Sequence, residues 1–251
     1  MIGIIIITIT YFLLRIEKRS LRVLGFNKPL QRTSEFVTGF FLAGSVAATQ
    51  YLLIAHFSGF NWVLNSNLSW SQVLDSIRWN INSVLFEELL FRGYLLYKAI
   101  EWLGARKGCF LSAATFGIYH WFSYGVIGNI VPMVYVLFLT GVFGLMLAYA
   151  FERTKSIALP IALHFGWNLV TIFVFSNGPI GEQLLVPDLE NPEVISRYEQ
   201  ALVNVLIPLI YSVVVIWMLV YGIKRYRNNE KGIKVLQTIN LEQYNETDFK
   251  K

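Results

Sequence analysis

Apolar residues in this chain come in long runs, and charged residues gather in the short intervals between them. Seven runs stand out, at 2–14, 36–57, 79–100, 109–122, 131–151, 157–175 and 201–223. A helix needs about 20 apolar residues to cross a bilayer. The second, third, fifth, sixth and seventh runs meet that length unaided, while the first and fourth are short. No internal repeat or low-complexity segment interrupts the series. The pattern predicts an all-α fold, a polytopic membrane bundle of about seven transmembrane helices.

The basic residues support the two short runs. Arg15, Lys18, Arg19, Arg22, Lys28 and Arg32 follow the first run, Arg106 and Lys107 the third, and Arg153 and Lys155 the fifth. Lys224, Arg225, Arg227, Lys231, Lys234, Lys250 and Lys251 follow the seventh. The other intervals hold only Arg197, with Arg78 read as standing at a helix entrance. Seven crossings place every basic interval on one side, and dropping either short run breaks that alternation. The positive-inside rule makes that side cytoplasmic, with the N-terminus outside and the C-terminus inside. The chain divides into a first span with its basic loop (1–35), a transmembrane bundle (36–223) with a catalytic core at about 79–175, and a basic cytoplasmic tail (224–251) suited to anionic lipid. The first run follows Met1 directly, with neither a basic leader nor a small-residue cleavage site, which argues against a removed signal peptide.

Composition sharpens the class. Hydrophobic residues are 55% of the 251 positions and charged residues 15%, against about 25% charged in soluble domains. An integral, multi-pass protein of the plasma membrane is expected, with the lipid bilayer as its first partner. The net charge of +5 reads as topology rather than nucleic-acid affinity, because the cations sit between spans. The single Cys109 excludes an internal disulfide framework and a Cys-based zinc cluster; it reads as a small buried residue.

Three spans carry residues that lipid penalises. The third holds Glu87, Glu88 and Arg92, the fourth Phe116 and His120, and the sixth His164 and Asn168. A lone Glu or Arg at the bilayer centre costs at least about 2.5–3.5 kcal/mol. Counting helical rise from the flanking cations places Glu87 and His164 roughly 13 Å, and His120 and Asn168 roughly 20 Å, into the core from their respective sides. All four therefore approach the midplane, where each needs a polar neighbour. Glu88 and Arg92 stand at i and i+4 and can pair on one helix face. Glu87 points about 100° away and stays free. His164 and Asn168 are also i and i+4, aimed at one small volume.

The motifs Glu-Glu-x-x-x-Arg, Phe-x-x-x-His and His-x-x-x-Asn, in that order, resemble the CAAX protease and bacteriocin-processing (Abi) family of intramembrane proteases, which includes the Rce1-type prenyl-protein proteases. The likeness spans 79–175, about two-fifths of the chain. It implies an endopeptidase acting on a membrane-associated peptide or lipidated protein, of prenylated CAAX or bacteriocin type. It implies Glu87 as general base on a water, His120 as the group that positions or polarises that water, and His164 and Asn168 as oxyanion donors. Glu88 and Arg92 become supporting residues. A low-dielectric site strengthens both a carboxylate base and oxyanion donors.

A metal stays open. His-Glu-x-x-His is missing, yet two histidines and Glu87 could form a zinc triad with Glu87 as ligand or base. Asn168 suits an oxyanion role better than a zinc shell, which favours a metal-free water. Two rival functions also stay open: a transporter or proton relay, since buried Glu and His mark ion pathways, and a non-catalytic immunity or binding protein of the same fold. Structurally, Glu88–Arg92 could serve insertion alone, and the histidines could join helices. His56 reads as interfacial, and Pro132, Pro160 and Pro208 as first-turn residues.

Overall fold

The computed structural model describes residues 2–222 and is built almost wholly of helices. They are α1 (Ile2–Ile16), α2 (Pro29–Ser58), α3 (Trp70–Phe91), α4 (Tyr94–Ser123), α5 (Ile130–Thr154), α6 (Ala158–Asn168), α7 (Arg197–Ala201) and α8 (Ile207–Trp217). Wider π-type turns extend α6 over Leu169–Val174, join α7 to α8 over Leu202–Leu206, and close the last helix over Met218–Gly222. The all-α expectation gains one small addition. The loops after α2 and α6 meet in a two-stranded antiparallel ribbon, β1 (Trp62–Leu64) with β2 (Leu185–Pro187), Val63 facing Val186. Strands of three residues are too short to leave an alternating signature.

Among the described residues, three stretches are long and apolar enough to cross a membrane: Leu21–Ser58, Ile130–Thr154 and Arg197–Gly222. Gly3–Ile16 and Ala158–Val174 are shorter apolar helices. Large side chains such as Phe41, Val134 and Trp217 face outward on them, as a lipid surround requires. The protein is a helical, integral membrane protein. Ile223 and the basic tail, 224–251, lie outside the described residues.

Two expectations need correction. The third run was expected as one helix over 79–100. Instead α3 starts at Trp70, where Ser69 and Gln72 form a reciprocal cap, and stops at Phe91. The stop lies at Gly93, where a Cβ would stand 2.1 Å from the carbonyl oxygen of Leu89. Only glycine allows the chain to turn that tightly, and the apolar residues on both sides hide the break from a hydropathy scan. Arg78 is consequently more than two turns inside α3, exposed and paired with Asp75 at 2.9 Å, rather than at an entrance.

The basic interval holding Arg106 and Lys107 was expected as a loop. It is part of α4, interrupted only at Gly104, with φ 80° and ψ 163°. The chain folds back there, so that Gly108 would place a Cβ 2.8 Å from the backbone nitrogen of Ile100. A one-residue corner thus replaces the loop.

Packing relies on small residues, as it must where lipid offers helices no hydrophobic drive to associate. A Cβ on Gly166 of α6 would come 2.3 Å from the carbonyl oxygen of Phe40 on α2. A Cβ on Gly117 of α4 would come 2.7 Å from Leu137 of α5. One buried cluster joins α2, α5, α6 and α8 through Ala43, Met146, Leu147, Leu163 and Tyr211. A second joins Leu24, Leu96, Cys109, Ala148 and Phe151, with Cys109 fully buried.

Candidate active site

The last two turns of α3 bring Glu87 and Glu88 against α6, and the turn at Gly93 leaves Arg92 as the cap of α3. Arg92 and Glu88 pair as their spacing predicts, Nη1 to Oε1 at 3.0 Å, with both side chains at 0% exposure. The guanidinium also donates from Nη2 to the carbonyl oxygen of Gly144 on α5, at 3.1 Å. It lies 4.0 Å from the ring centroid of Phe116 on α4, a cation–π contact strengthened by desolvation. Gly144 permits this approach, because a Cβ there would stand 3.1 Å from Nη2 and 2.8 Å from Phe116.

Glu88 does more than neutralise Arg92. The same Oε1 accepts from Nδ1 of His164 at 2.7 Å. A carboxylate at that distance fixes the proton on Nδ1 and turns Nε2 toward the remaining polar groups. The amide Nδ2 of Asn168 lies 3.1 Å from Nε2 and donates to it when the ring is neutral. Oε2 of Glu87 lies 3.8 Å from the same nitrogen. Phe116 and Phe143 stand edge-on to the His164 ring at 6.0 and 5.6 Å, keeping its surroundings apolar.

Glu87 differs from its neighbour. It is 8% exposed, and Oε2 has no hydrogen-bond partner among the described residues. One carboxylate of the pair is therefore tied down and the other is available. His120 is held by its own helix. Its Nδ1 donates to the carbonyl oxygen of Phe116 at 2.8 Å, which leaves Nε2 as the lone-pair nitrogen. Its ring packs 4.5 Å from Phe116, between Tyr119 and Tyr124. The Phe116 ring contacts both His120 and His164.

Glu87, Glu88, Arg92, His164 and Asn168 thus form one buried cluster, with His120 joined to it through Phe116. Three contributors escaped the sequence reading: the Glu88–His164 bond, the Gly144 carbonyl and the glycines at 93 and 166. Phe116 was quoted as part of a motif, but its stacking on Arg92 depends on how α4 meets α5. Gly166, between His164 and Asn168, sets how closely α6 docks on α2 and so where both side chains point.

Among the described residues no three His, Cys, Asp or Glu side chains gather closely enough to hold a metal ion. His164 has both ring nitrogens engaged by protein groups, and His120 is bonded through Nδ1 to the carbonyl oxygen of Phe116. Among the described residues a His–His–Glu zinc triad is not assembled.

Fold and site together define a helical membrane protein with a desolvated carboxylate–imidazole–carboxamide cluster assembled from α3, α4 and α6. Residues 69–170 match the family model described as type II CAAX prenyl endopeptidase Rce1-like. The match covers about two-fifths of the chain and makes that segment similar to a family of endopeptidases. No curated protein and no solved structure matches the chain.

Proposed function

We propose that the protein is an intramembrane endopeptidase in which Glu87 activates a water to hydrolyse a peptide bond of a membrane-associated peptide or lipidated protein. The observation that carries this reading is the division of labour between adjacent carboxylates. Glu88 is bonded through Oε1 to both Arg92 and His164, leaving its Oε2 unpaired, while among the described residues no hydrogen bond holds the Glu87 carboxylate, whose Oε2 stands beside His164 Nε2.

Charge balance supports it. Buried ions persist only when paired. With Glu88 and Arg92 cancelling, one proton shared between Glu87 and His164 leaves the cluster neutral wherever that proton sits. In the reactive form the shared proton is on His164 and Glu87 is ionised; the Asn168 amide, with no lone pair left to meet at Nε2, turns its N–H to the substrate. Glu87 takes a proton from the water as the water oxygen bonds to the scissile carbonyl carbon. The resulting oxyanion accepts from Nε2–H of His164 and Nδ2–H of Asn168. The C–N bond then breaks, and the proton on Glu87 passes to the departing amine. Nε2 of His120, unprotonated while Nδ1 donates to Phe116, accepts a hydrogen bond from the water and orients it. Seven crossings, an outer N-terminus, a cytoplasmic C-terminus and a plasma-membrane location complete the proposal, in keeping with the distribution of Lys and Arg.

The test compares wild type with Glu87→Gln in detergent, using prenylated and unprenylated hydrophobic peptides, with and without a zinc chelator. Loss of a general base lowers turnover about 10²–10⁴-fold, with the melting temperature close to wild type. Equal cleavage by both proteins overturns the role of Glu87. Inactivation of the wild type by the chelator, reversed by zinc, overturns the metal-free water.

A further inference from the structure

Away from the catalytic cluster, two cavities meet at Asn27 and Arg32 and differ in chemistry. The first, about 790 Å³, lies between α1, α2, α3 and α6, walled by Ile4, Ile7, Phe36, Leu85, Leu89 and Ile161. The second, about 580 Å³, lies under the short helical turn Leu21–Leu24 and the start of α2. Five cations line it, Arg19, Arg22, Lys28, Arg32 and Lys155, against one carboxylate, Glu101. Three of the five are already engaged: Arg19 by Glu101, Arg32 by Glu35 and Lys155 by Glu152. Arg22 and Lys28, both exposed, have no carboxylate partner among the described residues.

An apolar chamber that continues into a basic one has the layout of an amphiphile with a long tail and an anionic head. The apolar chamber does not face the catalytic cluster. Leu85 and Leu89 line it, and Glu87 lies roughly 160–200° around α3 from both. None of Glu87, Glu88, His120, His164 and Asn168 borders either cavity. A substrate held there would present nothing to Glu87. The chain's own 224–251 segment is net basic and has the wrong sign for the second chamber.

We propose that these joined cavities are a binding site for an anionic phospholipid of the surrounding bilayer. One acyl chain lies between α1 and α3, and the phosphate sits against Arg22 and Lys28. The inference is independent of the proteolytic reading. It gives α1 and the basic segment after it a role: they form the lipid-facing wall and the headgroup shelf beside the catalytic bundle.

The test is native mass spectrometry of the full chain in detergent, titrated with dioleoyl phosphatidylglycerol or dioleoyl phosphatidylcholine. The expected result is at least tenfold tighter binding of phosphatidylglycerol. A basic residue near an anionic surface is worth roughly fivefold each, so Arg22→Gln with Lys28→Gln lowers phosphatidylglycerol affinity about 25-fold and leaves phosphatidylcholine unchanged. Ile7→Trp, which fills the apolar chamber, weakens both lipids; Ile4→Trp, at a more exposed position, does the same should Ile7→Trp fail to fold. Glycerol 3-phosphate at matched concentration does not displace the lipid. Equal affinity for the two lipids overturns the proposal, as does an unaffected double variant. Retention of both lipids by the tryptophan variants overturns the placement of the tail. Displacement by glycerol 3-phosphate as effective as by phosphatidylglycerol reduces the site to a simple anion pocket and overturns the lipid assignment.

Discussion

Two charged clusters in this protein draw on similar residues in opposite surroundings. In the first, Glu88, Arg92 and His164 are sealed between α3, α4, α5 and α6, with the Glu88–Arg92 pair at 0% exposure. In the second, at the end of α1, Glu17 accepts from the Tyr94 hydroxyl at 2.6 Å and pairs with Lys98 at 3.1 Å. Glu101 joins Lys98 to Arg19 there, and these side chains range from 11% to 41% exposed. The first cluster cannot exchange a lost partner for water, and the second can. Similar ion pairs therefore differ in what their loss costs, and only the sealed one can hold an imidazole in a single orientation.

The largest effect expected from breaking this contrast is at Arg92. Arg92→Leu strands the Glu88 charge and should cost about 3–5 kcal/mol, read as loss of the folded species in a denaturant series in detergent. Glu88→Leu with Arg92→Leu removes both charges. It should recover most of that stability without recovering cleavage, since Nδ1 of His164 then has no acceptor. A double variant no more stable than the single one would show that packing around Phe116, rather than charge, dominates the site.

Gly166→Ala comes next. It forces α6 off α2, since its Cβ would meet Phe40 at 2.3 Å, and overpacking of this kind costs about 1–3 kcal/mol. Cleavage should fall by more than that loss of stability explains, because His164 and Asn168 move with the helix. Stability and turnover declining in proportion would remove Gly166 from the positioning of the site.

The smallest effect belongs to Glu17→Gln, which should lower the melting temperature at neutral pH only slightly, as loss of an exposed pair generally does. The Tyr94 hydroxyl first, then Lys98 and Arg19, holds the Glu17 carboxyl below the usual glutamate range. Whatever stability it supplies is present above the ordinary glutamate value and is lost as pH falls through the lowered one. A melting curve of the wild type against pH, compared with Glu17→Gln, should therefore converge in acid. Divergence that grows in acid would reverse the sign and contradict the pairing.

Much of the site was legible in advance because helical spacing is local. Glu88 with Arg92 and His164 with Asn168 are i, i+4 pairs, and the structure joins both. Glu87, 100° away on the same helix, was expected to be free, and its Oε2 is unpartnered. The apolar runs also located the helices, with one instructive failure at Gly93. There the chain makes a turn that only glycine can take, since a Cβ at that position would stand 2.1 Å from the Leu89 carbonyl oxygen, and α3 ends in the middle of an apolar stretch. Hydropathy measures what a residue prefers as solvent, and it carries no record of backbone clearance.

The distances between helices were not legible. The sequence by itself determined that this chain lives in lipid, that its charges must be sheltered, and which residues share a helix face, because each of these follows from transfer energies and a 3.6-residue period. Only the tertiary structure decided that Glu88 rather than Glu87 holds His164, that Arg92 lies over Phe116, and that His120 and His164 share contact with the Phe116 ring. Those outcomes depend on how closely α2 approaches α6 and α4 approaches α5. That closeness is set by single hydrogen atoms at Gly166, Gly117 and Gly144, whose effect appears only once the opposing helix is in place.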